Sequence, residues 1–225
     1  MQTRKSLIIF ILACFLTTCL NGNSFACEKN KHAEKIKPSE AKRLLVEGNT
    51  RFVSGKPIHP RQDAALRKEL INGQHPFAII LGCADSRISP EILFDQGLGD
   101  LFVVREAGNV IDDHTIGGIE YAVEHFQVSL IVVLGHENCG AIAAARDTAV
   151  AEGHLKSLVA SILPAVEATR GQDAESTCKA NIRNIVFALQ TSEPLLKHLV
   201  AKGELVVLGA YYNIGSGVIT YFNEK

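Results

Sequence analysis

An α/β fold, with a central, mostly parallel sheet flanked by helices and a helical arm ahead of it, is predicted by three features of this 225-residue sequence. The runs Phe77 to Leu81, Leu101 to Val104, Leu130 to Leu134 and Glu204 to Leu208 are almost continuously apolar and rich in branched residues, as strands covered on both faces are. Stretches of helical periodicity, Gly117 to His125 and Ile182 to Leu189 among them, lie between those runs. The composition, 47% hydrophobic and 21% charged, is sufficient for one sizeable domain with a shielded core.

At the start of the chain, Arg4 and Lys5 precede an apolar run from about Leu7 to Leu20, and Ser24 and Ala26 supply small residues ahead of Cys27. This pattern reads as a secretory signal over residues 1–26, cleaved after Ala26, and points to a periplasmic or secreted protein. The run is short for a membrane span, so no stable span is expected after cleavage. A retained anchor and lipid attachment at a cysteine are the alternatives. Residues 27–36 form a short N-terminal segment, and residues 37–225 a single domain. Of the cysteines, Cys27, Cys83, Cys139 and Cys178 remain in the mature chain, too few for a dense disulfide scaffold. A bond between Cys27 and Cys178 is open in an oxidising compartment, although their spacing does not demand it.

Pro38, Ser39 and Glu40 mark a helix start, and Ala41, Leu44, Leu45 and Phe52 give that helix a buried face. Pro57 and Pro60 mark a connector, followed by a short helix from Arg61 to Leu70. The strands named above follow, with Val218 to Phe222 as an edge strand. Leu163 to Glu175, carrying Pro164 and Gly171, reads as irregular. The sequence shows no internal repeat, and its net charge of −1 gives no footing for a nucleic-acid surface. The expected ligand is therefore small.

The chemistry-bearing residues gather at strand ends. Cys83, in the segment Gly82 to Arg87 (GCADSR), lies just beyond the first strand, and His136 and Cys139, in Gly135 to Gly140 (GHENCG), lie just beyond the third. Open parallel sheets bind ligands at this carboxyl edge, so these distant positions can share one site. Two thiolates and an imidazole are sound zinc ligands, and three protein ligands leave a fourth position for water. Asp85 and Arg87 can pair in the turn, the guanidinium holding the carboxylate ionised and oriented beside the metal. Gly108 and Asn109 shape the turn after the second strand. Gly82, Gly135 and Gly140 leave room for backbone around the ligands. Taken singly, each of these residues has an ordinary reading as core, cap or turn.

CADSR with HENC, together with EGNTRFVSGK at Glu47 to Lys56, FDQGLGDLFVVREAGN at Phe94 to Asn109 and IEYAVEHF at Ile119 to Phe126, resembles the beta-class carbonic anhydrases from about Ser39 to Phe222. The resemblance implies a Rossmann-like sheet and one Zn2+ per subunit near a dimer interface, in a homodimer or homotetramer. It implies reversible hydration of carbon dioxide to bicarbonate and a proton through a zinc-bound hydroxide. It carries the metal ligands to Cys83, His136 and Cys139 and the metal-adjacent catalytic pair to Asp85 and Arg87. It carries the substrate-binding glutamine to Gln74 and two pocket aromatics to Phe102 and Tyr121.

One subtype closes its zinc site with the aspartate and often uses a tryptophan to hold regulatory bicarbonate. This chain has no tryptophan, so an open three-ligand site is expected. Two other readings stay available: hydrolysis of carbon disulfide or carbonyl sulfide by the same site, and a noncatalytic zinc protein with Asp85 as permanent fourth ligand. The sequence names no proton shuttle, although His114 and His125 lie near site-related segments.

Overall fold

The computed structural model describes residues 35–147 and 151–222; the expected leader, its cleavage point and Cys27 lie outside them. Helix α1 (Pro38–Val53) has proline in its first turn, where a helix has no use for the missing N–H, and Glu40 near its positive end. Ala41 and Leu45 are buried in the core, with Leu44 and Phe52 packed at its margin.

The Gly-Asn pair of α1 explains how the arm is fixed. A Cβ on Gly48 would stand 1.6 Å from the Phe94 carbonyl oxygen, so only glycine permits this approach. Asn49 donates to the carbonyls of Leu93 and Gly217 at 3.1 and 3.0 Å and accepts from the Ile219 N–H at 3.1 Å. One buried amide thus joins the arm to the far end of the chain, and those backbone groups would be costly to leave unpaired.

The second expected helix begins later than its sequence suggested. Asp63 accepts from the Leu66 N–H at 2.8 Å and caps α2 (Ala64–Glu69), which ends in a 3-10 turn, Leu70–Asn72. The sheet consists of β1 (Ala78–Gly82), β2 (Leu101–Arg105), β3 (Leu130–His136), β4 (Val206–Tyr212) and β5 (Ile219–Phe222), in the order β2-β1-β3-β4-β5. All neighbours are parallel except β4 and β5, so the expected edge strand is the antiparallel one. β1 and β3 are buried throughout, which their unbroken apolar text foretold.

β4 runs on to Tyr212, past the expected end at Leu208. Gly209 and Ala210 obscure the pattern in sequence, but pairing with β3 on one side and β5 on the other holds them extended. His136 is likewise the last residue of β3, rather than beyond it, and pairs with Tyr212.

Helices α3 (Pro90–Leu93), α4 (Asp113–Phe126), α5 (Gly140–Arg146), α6 (Leu155–Ala168), α7 (Ala174–Thr191) and α8 (Leu195–Ala201) complete the chain. The expected irregular stretch from Leu163 to Glu175 is mostly helical: α6 continues through Pro164 to Ala168, and α7 begins at Ala174. Proline forfeits a hydrogen bond to the carbonyl four residues back. Here Pro164 and Ala160 are exposed, so that carbonyl lies on the solvent side, while Ile162 and Ala165 are fully buried and keep the helix docked. Among the described residues no helix is long and apolar enough to cross a membrane.

The strand order sets the position of a site. From β1 the chain goes outward to β2 and then returns to the other side of β1 as β3. The loops leaving β1 and β3 therefore diverge, and a crevice opens between their carboxyl ends.

Candidate metal centre

That crevice receives Cys83, which follows β1, His136, which ends β3, and Cys139, which precedes α5. All three are buried, and their donor atoms lie within 4.8 Å of one another. His136 Nδ1 donates to the Glu137 carbonyl at 2.8 Å, leaving Nε2 with the lone pair. Nε2 is buried and has no hydrogen-bond partner. A buried nitrogen facing two thiols without a partner is costly unless a cation takes its lone pair. The donor set therefore fits zinc.

The two thiols are coupled. Cys83 is drawn below the ordinary thiol range, chiefly by a hydrogen bond from Cys139 and against the effect of burial. Cys139 is pushed upward by that bond and by its own burial. A cation between them would take both as thiolates.

The protein supports each donor from behind. The Cys83 sulfur accepts N–H bonds from Gly108 at 3.2 Å and Asp85 at 3.4 Å. Arg105, at the end of β2, donates to the carbonyls of Cys83 and Asp85 at 3.0 and 2.7 Å, holding the loop on either side of Ala84. Cys178 in α7 donates to the His136 carbonyl at 3.6 Å, and burial pushes its thiol up to about 12, so it stays protonated. Asn181, one turn further along α7, is 1% exposed and donates to the Gly108 carbonyl at 2.9 Å.

Arg87 grips Asp85 at two points, Nε to Oδ1 at 2.8 Å and Nη2 to Oδ2 at 2.7 Å. Nη2 also donates to the Asn138 carbonyl at 3.1 Å, tying the β1 loop to the loop that carries the other two ligands. Hydrogen bonding by Arg87 holds the Asp85 carboxyl well below the usual carboxylate range. Asp85 Oδ2 lies 4.0 Å from His136 Nε2. It stands beside the ligand triangle, turned toward Arg87.

The structure distinguishes the supporting residues. A Cβ on Gly135 would press on Ile182 Cδ1 at 2.5 Å and Cys178 Sγ at 2.9 Å, so α7 packs against bare backbone there. Gly108 has φ of +66° and is hemmed in by Ile162 and Ala141, and Asn109 has φ of +45°. The expectation of close approach does not hold at Gly140, where a Cβ would meet nothing within 4 Å, or at Gly82, where the nearest atom is Pro90 Cγ at 4.0 Å. Gly140 opens α5 with free space beside it.

Gln74, Phe102 and Tyr121 do not join the ligand triangle of their own chain. Phe102 pairs with Ile79, four residues short of Cys83 along β1, or about 13 Å at roughly 3.3 Å per residue. Gln74 is exposed ahead of β1, at the amino edge of the sheet. Tyr121 is 44% exposed on α4 and forms an aromatic group with Phe102 and Phe126, at centroid distances of 6.4 and 5.4 Å. A parallel strand places its two ends on opposite edges of the sheet, which separates these residues from the crevice.

Sequence reasoning missed Arg105, Asn138, Asn181 and Cys178. Asn181 did carry a signal: it is a polar residue within the buried stripe of α7 formed by Cys178, Ile182, Ile185 and Leu189. An asparagine in that place needs a buried backbone partner.

The chain is similar to known proteins over most of its length. A family described as carbonic anhydrase matches residues 78–219. Carbonic anhydrase 2 of Mycobacterium tuberculosis is 42% identical over 187 residues, covering 80% of this chain and 90% of that protein. A carbonic anhydrase of Mycolicibacterium smegmatis is 40% identical, with 80% and 91% covered. A structure from Sordaria macrospora, described as one of two tetrameric beta-carbonic anhydrases, superposes with a TM-score of 0.67 at 25% identity, covering 81% of this chain and 97% of that one.

Proposed function

The chain belongs to the beta-carbonic anhydrase family, and from that premise we propose that its zinc-dependent, reversible hydration of carbon dioxide takes place at one ion held by Cys83, His136 and Cys139. The observation that carries this assignment is the buried, unpartnered Nε2 of His136 facing two coupled thiols. A zinc ion bound there supplies Lewis acidity, which makes water a nucleophile under mild conditions.

The chain's own groups do the rest. Asp85 Oδ2, 4.0 Å from His136 Nε2, accepts a hydrogen bond from the attacking water and aims its remaining lone pair at the carbon of the substrate. Arg87 keeps that carboxylate ionised and prevents it from rotating. Arg105 fixes the backbone on which Asp85 rides.

Gln74, Phe102 and Tyr121 serve as the substrate pocket of a neighbouring copy, in a homodimer or a homotetramer. Their distance from their own metal ligands supports this reading, as does the exposed flank of Tyr121 beside the half-buried edge strand β2. One stopped-flow experiment tests the function and the shared pocket together. Zinc-loaded chain hydrates carbon dioxide, Cys83→Ser and Gln74→Ala chains are each impaired, and mixing the two restores part of the rate, because one site in each mixed dimer keeps both groups. Failure of the mixture to exceed its components would place the pocket elsewhere, and an inert wild-type chain would overturn the function.

The first 26 residues direct export, and the mature protein begins at Cys27 in the periplasm or outside the cell; the basic start and short apolar run support this. Amino-terminal sequencing of the protein recovered from each cell fraction is the check. An uncleaved chain confined to the cytoplasm would refute export.

A further inference from the structure

We propose that Asn181 is a positioning residue for the metal centre, acting through Gly108 to aim a backbone N–H at the Cys83 sulfur and so set how strongly that thiolate donates to the ion. The inference rests on the assignment of Cys83, His136 and Cys139 as metal ligands.

The peptide between Gly108 and Asn109 is held at both ends. Its carbonyl accepts from Asn181 Nδ2 at 2.9 Å, and its N–H donates to the Glu106 carbonyl at 2.8 Å. Glu106 is itself fixed to the β1 exit, donating to the Gly82 carbonyl at 3.1 Å and accepting from the Ala84 N–H at 3.3 Å. Between these anchors Gly108 adopts φ of +66° and ψ of +19°, a conformation that costs other residues strain, and there its N–H meets Cys83 Sγ at 3.2 Å. Ile162 and Ala141 close the space around the glycine, so the turn has little room to settle differently.

The chemistry follows from that geometry. An N–H pointing at a thiolate draws charge from the sulfur and weakens its donation to a bound ion. Asn181 makes no hydrogen bond to the ligand donors themselves, and its amide is engaged in the turn. Its removal strands a buried carbonyl; the turn relaxes through the φ and ψ of Gly108, which join that carbonyl to the preceding peptide's N–H, and the Gly108 N–H loses its aim.

The test uses the full chain loaded with cobalt, cadmium or zinc. Asn181→Leu keeps roughly the side-chain volume and Asn181→Ala removes the amide, and neither donates. Both are expected to move the thiolate-to-cobalt charge-transfer band to longer wavelength, because an unsupported sulfur lone pair is easier to ionise. Zinc affinity, measured by competition with a chelator, nonetheless falls roughly tenfold or more, because loss of the fixed turn behind Cys83 costs the site more than the freed sulfur's stronger donation returns. Asn184→Ala, three residues further along the same helix and lining one cavity with Asn181, leaves band and affinity unchanged.

A purely structural asparagine would lower stability without moving the band of the folded, loaded protein. In the wild-type chain loaded with cadmium-113, the Gly108 amide proton shows coupling to the metal through the sulfur, whether or not the variants fold. A wild-type protein that binds one cadmium without that coupling overturns the inference and leaves the metal site standing. One that binds no cadmium, cobalt or zinc overturns both.

Discussion

Replacing His136 by alanine is expected to strip the chain of zinc and to lower carbon dioxide hydration by more than the roughly 100-fold that loss of an outer-shell partner costs. The imidazole is the neutral member of the donor set, and its Nε2 is the atom left buried without a hydrogen bond. Two thiolates alone would leave the ion two positions short of a tetrahedron and open to loss. The backbone survives the change, because His136 ends a strand paired with β1 on one side and β4 on the other and its carbonyl is held by Cys178. Metal content per chain, circular dichroism and stopped-flow hydration, measured on one preparation, separate loss of metal from loss of fold. A folded variant that retains one zinc per chain and most of its rate would falsify the ligand assignment.

Replacing Arg87 by alanine produces the second large effect, and its sign depends on pH. Asp85 is held well below the usual carboxylate range by Arg87. A depressed carboxyl contributes its stability fully above the ordinary pKa of about 3.9 and loses it only as pH falls through the lowered value. The pair therefore does not titrate between about pH 6.5 and 8.5, and in the wild-type chain it adds no slope there.

Without the guanidinium, Asp85 is still ionised in that window but is released from its two-point grip. It can turn the short distance toward His136 Nε2 and compete for the fourth position at the metal. Ionised water, its competitor, becomes scarcer as pH falls. Hydration by the variant is expected to drop roughly 10- to 100-fold, with the larger loss at the acid end. An equal fractional loss at pH 6.5 and pH 8.5 would show that Arg87 does something other than restrain Asp85.

The Asp85–Arg87 grip shows how much of the site was legible in sequence. A carboxylate and a guanidinium two residues apart beside a ligand cysteine can pair with each other, and they do so at two points. The link from Arg87 to the Asn138 carbonyl could not be read, because it joins loops far apart in the chain and uses a backbone acceptor that no side-chain pattern reports. The same reason hid Arg105, whose two acceptors are carbonyls, and Asn181, whose partner is the carbonyl of a glycine. Resemblance to a family named Gln74, Phe102 and Tyr121 without their placement, and the register of β1 and β2 then set Phe102 far from its own metal ligands.

By itself the sequence determined the α/β class, the strands with unbroken apolar text, and the grouping of Cys83, His136 and Cys139, because burial on both faces and metal affinity are written in residue type and local order. Element ends and the irregular reading around Pro164 were decided by tertiary structure: pairing carried β4 across Gly209 and Ala210, and burial of Ile162 and Ala165 carried α6 through a proline. The tertiary structure alone also decided the strand order that opens the crevice between β1 and β3, and the backbone hydrogen bonds that orient the ligands within it. Those depend on which distant peptide groups come within about 3 Å of each other, a property of packing that residue type does not encode.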